Sequence, residues 1–327
     1  MDPIRASRAA WRAAWQHKIC FYPTAAASRC GKIVDSHTIQ RSLVLGELID
    51  ETNHVSSFYP PEEFEGVLKI HRVGWRKAST VSGFCAKHDD LIFEPIEKKA
   101  FVGSPEQCFL IGYRALCHEV FQKTAALKSM HIMRRSLDPQ IWAVHEAGTQ
   151  RGLKDFQKLK SLMDEQLLST DFSGWSQAIV PFSGPLCMVS TGAVSPNRDV
   201  DGNDLQTLHD PSTDLESLLA GMTRTNNGGA VILVWRESDT APRRFVDSIL
   251  RRGVAPLGGL LVQFTFAYIE NTFFAQRWWD SLSPADASHL QLLAGTANAY
   301  YTDFSYSSSQ FVPWKIDSLT LEVGSHG

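Results

Sequence analysis

The chain has 327 residues, 43% of them hydrophobic and 20% charged, which suffices to bury two ordinary cores and excludes a disordered or fibrous polypeptide. No apolar run approaches the roughly 18–20 residues of a membrane span, the longest being AVILVW and LGGLLV. The net charge of −3 hides a split: residues 1–160 carry 23 Lys and Arg against 17 Asp and Glu, and residues 161–327 carry 9 against 18. The front half can therefore approach a polyanion that the back half would repel.

At the N-terminus, Ile4, Trp11 and Trp15 among alanines and arginines predict an amphipathic helix over residues 4–18. Basic residues interrupt this stretch and deny it the apolar core of a secretory signal, so a cytoplasmic location with reduced thiols is expected. The six cysteines (Cys20, Cys30, Cys85, Cys108, Cys117 and Cys187) then read as metal ligands or buried thiols. An irregular segment over 20–36 leads into a short strand at KIVD, and TIQRSLVLGELID (38–50) has the composition of a helix. Residues 52–80 are turn-rich around FYPPEE, with a strand near GVLKIHRVG. Next, FCAKHDDLIFEPIE (84–97) predicts a turn into a short helix that Pro95 ends or bends.

From Pro105, the spacing of Phe109, Tyr113, Leu116 and Val120 predicts a helix to about Met130. Leu153, Phe156, Leu159 and Met163 predict another over about 150–168. Beyond Gly174 the pattern changes. Strand-like runs at QAIVPF, LCMVS, AVILVW and LVQFTFAYI alternate with helical stretches at DLESLLAGM, PRRFVDSILRR and SPADASHLQLLAGTANAY. Ser283 is placed to cap the last of these, with Pro284 at its first position, and TNNGGA (225–230) marks a turn entering a buried strand. The aromatic segment ENTFFAQRWWDSL (270–282) reads as core or as a binding face. The chain has no GxxxxGK[ST] loop, GxSxG elbow or GxGxxG turn, which removes the nucleotide and serine-hydrolase sites those motifs build.

A tetrahedral zinc site needs four thiolate or imidazole ligands, commonly delivered as two close pairs. Cys85 and His88, in CAKH, are spaced so that one tight turn can present both. Cys20 and Cys30 can supply the other pair across a wider knuckle, completing a Cys3His set of structural type. Two other readings stay open: Cys20 and Cys30 as small buried hydrophobes, or His37 as a ligand with Cys20, Cys30 and Cys85. Asp89 and Asp90 can equally serve as charges at a helix start.

A knuckle cysteine, a strand ending in His37 (KIVDSH), a gap, and then FCAKHDDLIFEPIE together resemble the plan of the HNH (ββα-metal) nucleases. The resemblance covers about residues 18–98. It implies that His37 is the general base that takes a proton from water, and that His88 is the last zinc ligand. It also implies that Asp89 occupies the position of the family's metal-binding histidine. Ser36 precedes His37 where the family commonly has an acid, and the nearest acid, Asp35, lies one position further back. A catalytic Mg2+ or Mn2+ joins the structural Zn2+ in this picture.

The expected fold is α+β. A zinc-stabilised ββα-metal (HNH-like) module with flanking helices occupies 1–150, a connecting helix 151–169, and a separate α+β sensing or regulatory domain 170–327. The expected function is phosphodiester cleavage, of DNA before RNA, in a protein of the kind found in bacterial antiphage defence. The alternative is a non-catalytic, zinc-stapled protein that binds nucleic acid or another protein. No membrane partner is expected, and the C-terminal domain could pair with a second copy or a partner protein.

Overall fold

The computed structural model describes residues 13–25, 30–58, 68–133, 139–208, 210, 212–296, 306–316, 318 and 320–322. Four strands come first: β1 (Ile33–His37), β2 (His54–Ser57), β3 (His71–Gly74) and β4 (Thr80–Cys85). Three helices follow, α1 (Ala86–Glu97), α2 (Pro105–Met133) and α3 (Pro139–Ser169). Then come β5 (Trp175–Ser183), β6 (Met188–Val194), β7 (Leu218–Thr225), β8 (Gly228–Arg236), α4 (Thr240–Leu250) and α5 (Val254–Tyr268). The last elements are β9 (Thr272–Phe274), α6 (Gln276–Trp279), α7 (Pro284–Thr296) and β10 (Thr320–Glu322). The architecture is mixed α+β, and no described helix is long and apolar enough to cross a membrane.

The chain divides into two compact units that interleave along the sequence. The first draws on residues 1–36, 80–94 and 116–171, the second on 37–79, 95–115 and 172–327. Strands β1 and β4 form a two-stranded sheet, and α1 starts at the residue after β4 ends. Residues 151–169 are the C-terminal part of α3, not a helix of their own. Of the helix expected over 4–18, residues 1–12 lie outside the described residues and 13–15 are helical.

The second unit is built on an eight-stranded antiparallel sheet in the order β10-β5-β8-β7-β6-β9-β2-β3. The two residues Asn226 and Asn227 close the β7–β8 hairpin, where Thr225 pairs with Gly228. A Cβ at Gly228 would come within 2.3 Å of the Phe182 carbonyl oxygen, so this turn requires glycine. β8 is buried from Gly229 to Trp235, as a strand covered on both faces must be. One cover is α2, whose Gly112 lies close against Leu219 and Val234. On α4 and α5, Phe245, Ile249, Leu261 and Phe264 join Val180, Leu218, Leu233 and Trp235 in one core. Trp278 and Trp279 belong to that core as well, with the Trp278 indole N–H donating to the Phe311 carbonyl at 2.8 Å.

Three expected elements differ from the fold. LVQFTFAYI, expected as a strand, falls almost wholly in α5, a helix buried around most of its surface and so without the polar face that reveals helical periodicity. DLESLLAGM, expected as a helix, becomes β7 from Leu218, and a Cβ at Gly221 would meet Ile111 at 2.4 Å. Residues 38–50 form turns and one 3-10 segment, Leu45–Glu47. There the N–H groups of Leu45 and Gly46 reach back five residues to Gln40 and Arg41, and Ile39, Val44, Leu45 and Leu48 are buried without an α-helix. The cap at α7 forms as expected: the Asp286 N–H donates to Ser283 Oγ at 3.1 Å.

Asp239, at the N-terminal edge of α4, carries a stability effect that depends on pH. Burial raises its carboxyl to about 6, with Arg236 opposing and Glu216 reinforcing the shift. The native protein therefore holds this proton over a range in which the unfolded chain, at an ordinary 3.8, has released it. Stability from this group falls as pH rises from about 4 to 6 and stays reduced above. Asp239→Asn should raise stability at pH 7.5 by about 1–2 kcal/mol, discounted for partial solvent access, and should change little at pH 4. Urea unfolding at both pH values measures the difference.

Candidate metal centre

Three stretches of chain meet at the end of β4. The segment before the first cysteine runs beside β4, with the Ile19 N–H donating to the Ser82 carbonyl at 3.1 Å and the Phe21 N–H to the Gly83 carbonyl at 2.9 Å. Cys20 lies between these two bonds. On the other side the Ala86 N–H donates to the Lys32 carbonyl at 3.1 Å, which brings Cys30 and Gly31 to the strand–helix junction. Cys85 is the last residue of β4, and His88 lies in the opening turn of α1.

The result is a group of four, Cys20, Cys30, Cys85 and His88, whose ligand atoms all lie within 4.8 Å of one another. His88 Nδ1 is 3.3 Å from Cys20 Sγ and 3.7 Å from Cys30 Sγ. A tetrahedral zinc with bonds of about 2.3 Å to sulfur and 2.0–2.1 Å to nitrogen separates its ligands by about 3.5–3.8 Å, so the two distances from His88 lie near those of such an ion, and the set could hold one. Cys85 and His88 are buried, Cys20 is half-buried and Cys30 is exposed. Four protein donors leave no open position, which is the mark of a structural and not a catalytic zinc site.

The electrostatics suit a cation. Partial desolvation, then the neighbouring Cys20 and Cys85 thiols, push Cys30 up to about 11. Burial alone would raise Cys85 too, but the backbone N–H groups of His88 and Gly31, with the other two thiols, hold it below the usual thiol value. Burial and then Lys87 lower His88, which keeps its imidazole in the neutral form a metal requires. A divalent ion would stabilise the thiolates that otherwise repel one another.

Packing holds the knuckle in place. The Tyr22 ring stacks on His88 with centroids 4.1 Å apart, and Phe21 meets Phe84 edge to face. A Cβ at Gly83 would press on the Phe21 ring at 3.2 Å. Lys160 of α3, nearly buried, donates to the Phe21 carbonyl at 2.9 Å and to the Asp164 carboxylate at 2.7 Å. Its ammonium also lies 5.5 Å from the Phe21 ring centroid. Nothing in the spacing of Lys160 announces its bond to the knuckle, because Phe21 lies 139 residues back. Lys160→Met should cost about 1–3 kcal/mol, and should loosen any zinc held by the four donors in a chelator competition, since it leaves the Phe21 carbonyl without its donor.

The other expected site residues lie as follows. His37 is the half-buried last residue of β1, and the assembled donor set uses His88 in its place. Asp35 is exposed and accepts a hydrogen bond from Ser82 Oγ at 3.2 Å. Asp89 is half-buried in the first turn of α1, directly after His88. Glu97, the last residue of α1, is ion-paired with the buried guanidinium of Arg114. No family model, curated protein or solved structure matches this chain.

Proposed function

We propose that this protein is a metal-dependent nuclease of the HNH (ββα-metal) type, with zinc bound at Cys20, Cys30, Cys85 and His88 as a structural staple. One observation carries the reading: paired strands β1 and β4 lead directly into α1, the first strand ends in His37, and the four zinc-type donors sit at the strand–helix junction. In this reading His37 accepts a proton from a water molecule, whose oxygen attacks a phosphodiester phosphorus as the P–O bond to the leaving sugar oxygen breaks, and that oxygen takes a proton from solvent. Asp89, with Asp35 as a second carboxylate, supplies the hard oxygen ligands suited to Mg2+ or Mn2+. Such an ion would contribute charge stabilisation at the scissile phosphate. DNA is the proposed substrate, approached by the more basic front half, and the acidic back half is proposed to sense or restrain.

A second reading has its own support. The donor set is closed, and Asp35 is engaged with Ser82, which fits a stapled protein that binds without cutting. Incubating purified protein with plasmid DNA in Mg2+, in Mn2+ and in EDTA, alongside metal analysis, separates the two. The nuclease reading expects zinc in the protein and cleavage that EDTA stops. Bound zinc with no cleavage under either ion would leave the second.

A further inference from the structure

The residue that follows His37 is held by an unusual buried arrangement. The Thr38 N–H donates to the Ser79 carbonyl at 2.7 Å, and Thr38 Oγ1 donates to the same oxygen at 3.2 Å. The two hydroxyls also meet in a short hydrogen bond. Into this pair reaches Asn271, whose side-chain amide donates to Thr38 Oγ1 at 2.8 Å and to Ser79 Oγ at 3.3 Å. All three residues are buried, between 6% and 7% exposed. Ser79 has φ +56°, a left-handed conformation that costs a non-glycine residue about 1–2 kcal/mol.

Asn271 is itself firmly placed. Its carbonyl accepts the Thr191 N–H at 3.2 Å, and β9, which begins at the next residue, pairs Thr272 with Ser190 of β6. Thr272 Oγ1 closes the turn by donating to the Ile269 carbonyl at 2.7 Å. A rigid sheet element thus presents one amide to the chain just past His37. Buried polar groups cost stability unless every partner is present, and complete networks select one arrangement over nearby ones.

We propose that Asn271, 233 residues beyond Thr38, is a positioning residue that fixes the His37 end of β1 through Thr38 and Ser79. This inference rests on the nuclease reading, since it gives the knot a purpose only where His37 must be held to sub-ångström accuracy. Displacing a reacting group by about 1 Å lowers a rate by about 100-fold. The knot therefore sets how fast the enzyme turns over and leaves substrate affinity alone.

The test compares Asn271→Ala, Thr38→Val and the double variant with wild type and His37→Ala, well below their melting temperatures. Both single changes should lower kcat about 10- to 100-fold with KM within about twofold, and the double should be no worse than the more severe single. The Thr38 amide should exchange with solvent faster in each, while zinc content stays unchanged. If His37→Ala abolishes cleavage but Asn271→Ala and Thr38→Val keep full kcat, the Asn271 role is wrong and the nuclease reading survives. If one single variant does not fold, the other carries the same kcat and exchange readouts. Wild-type protein that cleaves nothing ends both proposals, and exchange data cannot rescue the second.

Discussion

If the Cys3His set holds zinc as proposed, replacing Cys85 with serine should remove the ion and cost the first unit on the order of 5 kcal/mol or more. Cys85 is fully buried, ends β4, and accepts backbone hydrogen bonds from both the Gly31 and His88 segments. Structural zinc contributes about 10–16 kcal/mol of binding free energy to small domains that fold around it, so losing one buried ligand removes a large share. Cys30→Ser should be milder, because that ligand is exposed and water can take its place. Cys187→Ser, at a buried thiol outside the donor set, should leave zinc content untouched. Elemental analysis with calorimetric unfolding of the three variants checks the order. Equal zinc content in Cys85→Ser and wild type would show that the four residues do not hold the ion.

The second large effect is expected from His37→Ala. On the proposed nuclease reading His37 is the general base, whose removal costs about 100- to 10,000-fold in rate, while it is only half-buried at a strand end and outside the Cys3His donor set, so the fold should persist. The cleavage assay should therefore collapse with unfolding temperature and zinc content near those of wild type. On the same reading, Asp89→Asn should instead shift the Mg2+ or Mn2+ concentration needed for half-maximal rate, as loss of one proposed charged oxygen ligand would weaken a hard cation's site. Asp35→Asn should have the smaller effect of the two, since that carboxylate already accepts from Ser82. Undiminished cleavage by His37→Ala would remove it from the chemistry.

What could be read from the amino acids was mostly local. Cys85 and His88 share one turn of chain, and the long helix from Pro105 shows its apolar stripe every three to four residues, so both were visible without knowledge of distant partners. The cap at Ser283 and the turn at Asn226 and Asn227 likewise depend on neighbours in sequence. The failures come from burial on all sides. Leu261 to Ala267 forms a helix with no wet face, and Leu218 to Met222 forms a strand with none, so neither carries a period to count. Lys160 and Asn271 were silent for another reason. Each acts through a partner more than a hundred residues away, and a lysine or an asparagine has no spacing rule that points so far.

The interleaving of the two units has a consequence for how this protein can be dissected. A truncation after residue 171 would keep 37–79 and 95–115 while discarding the body of the unit to which they belong. Ile39, Val44, Leu45, Leu48 and Val55 would then lose the core in which they are now buried. Such a fragment should aggregate and resist purification.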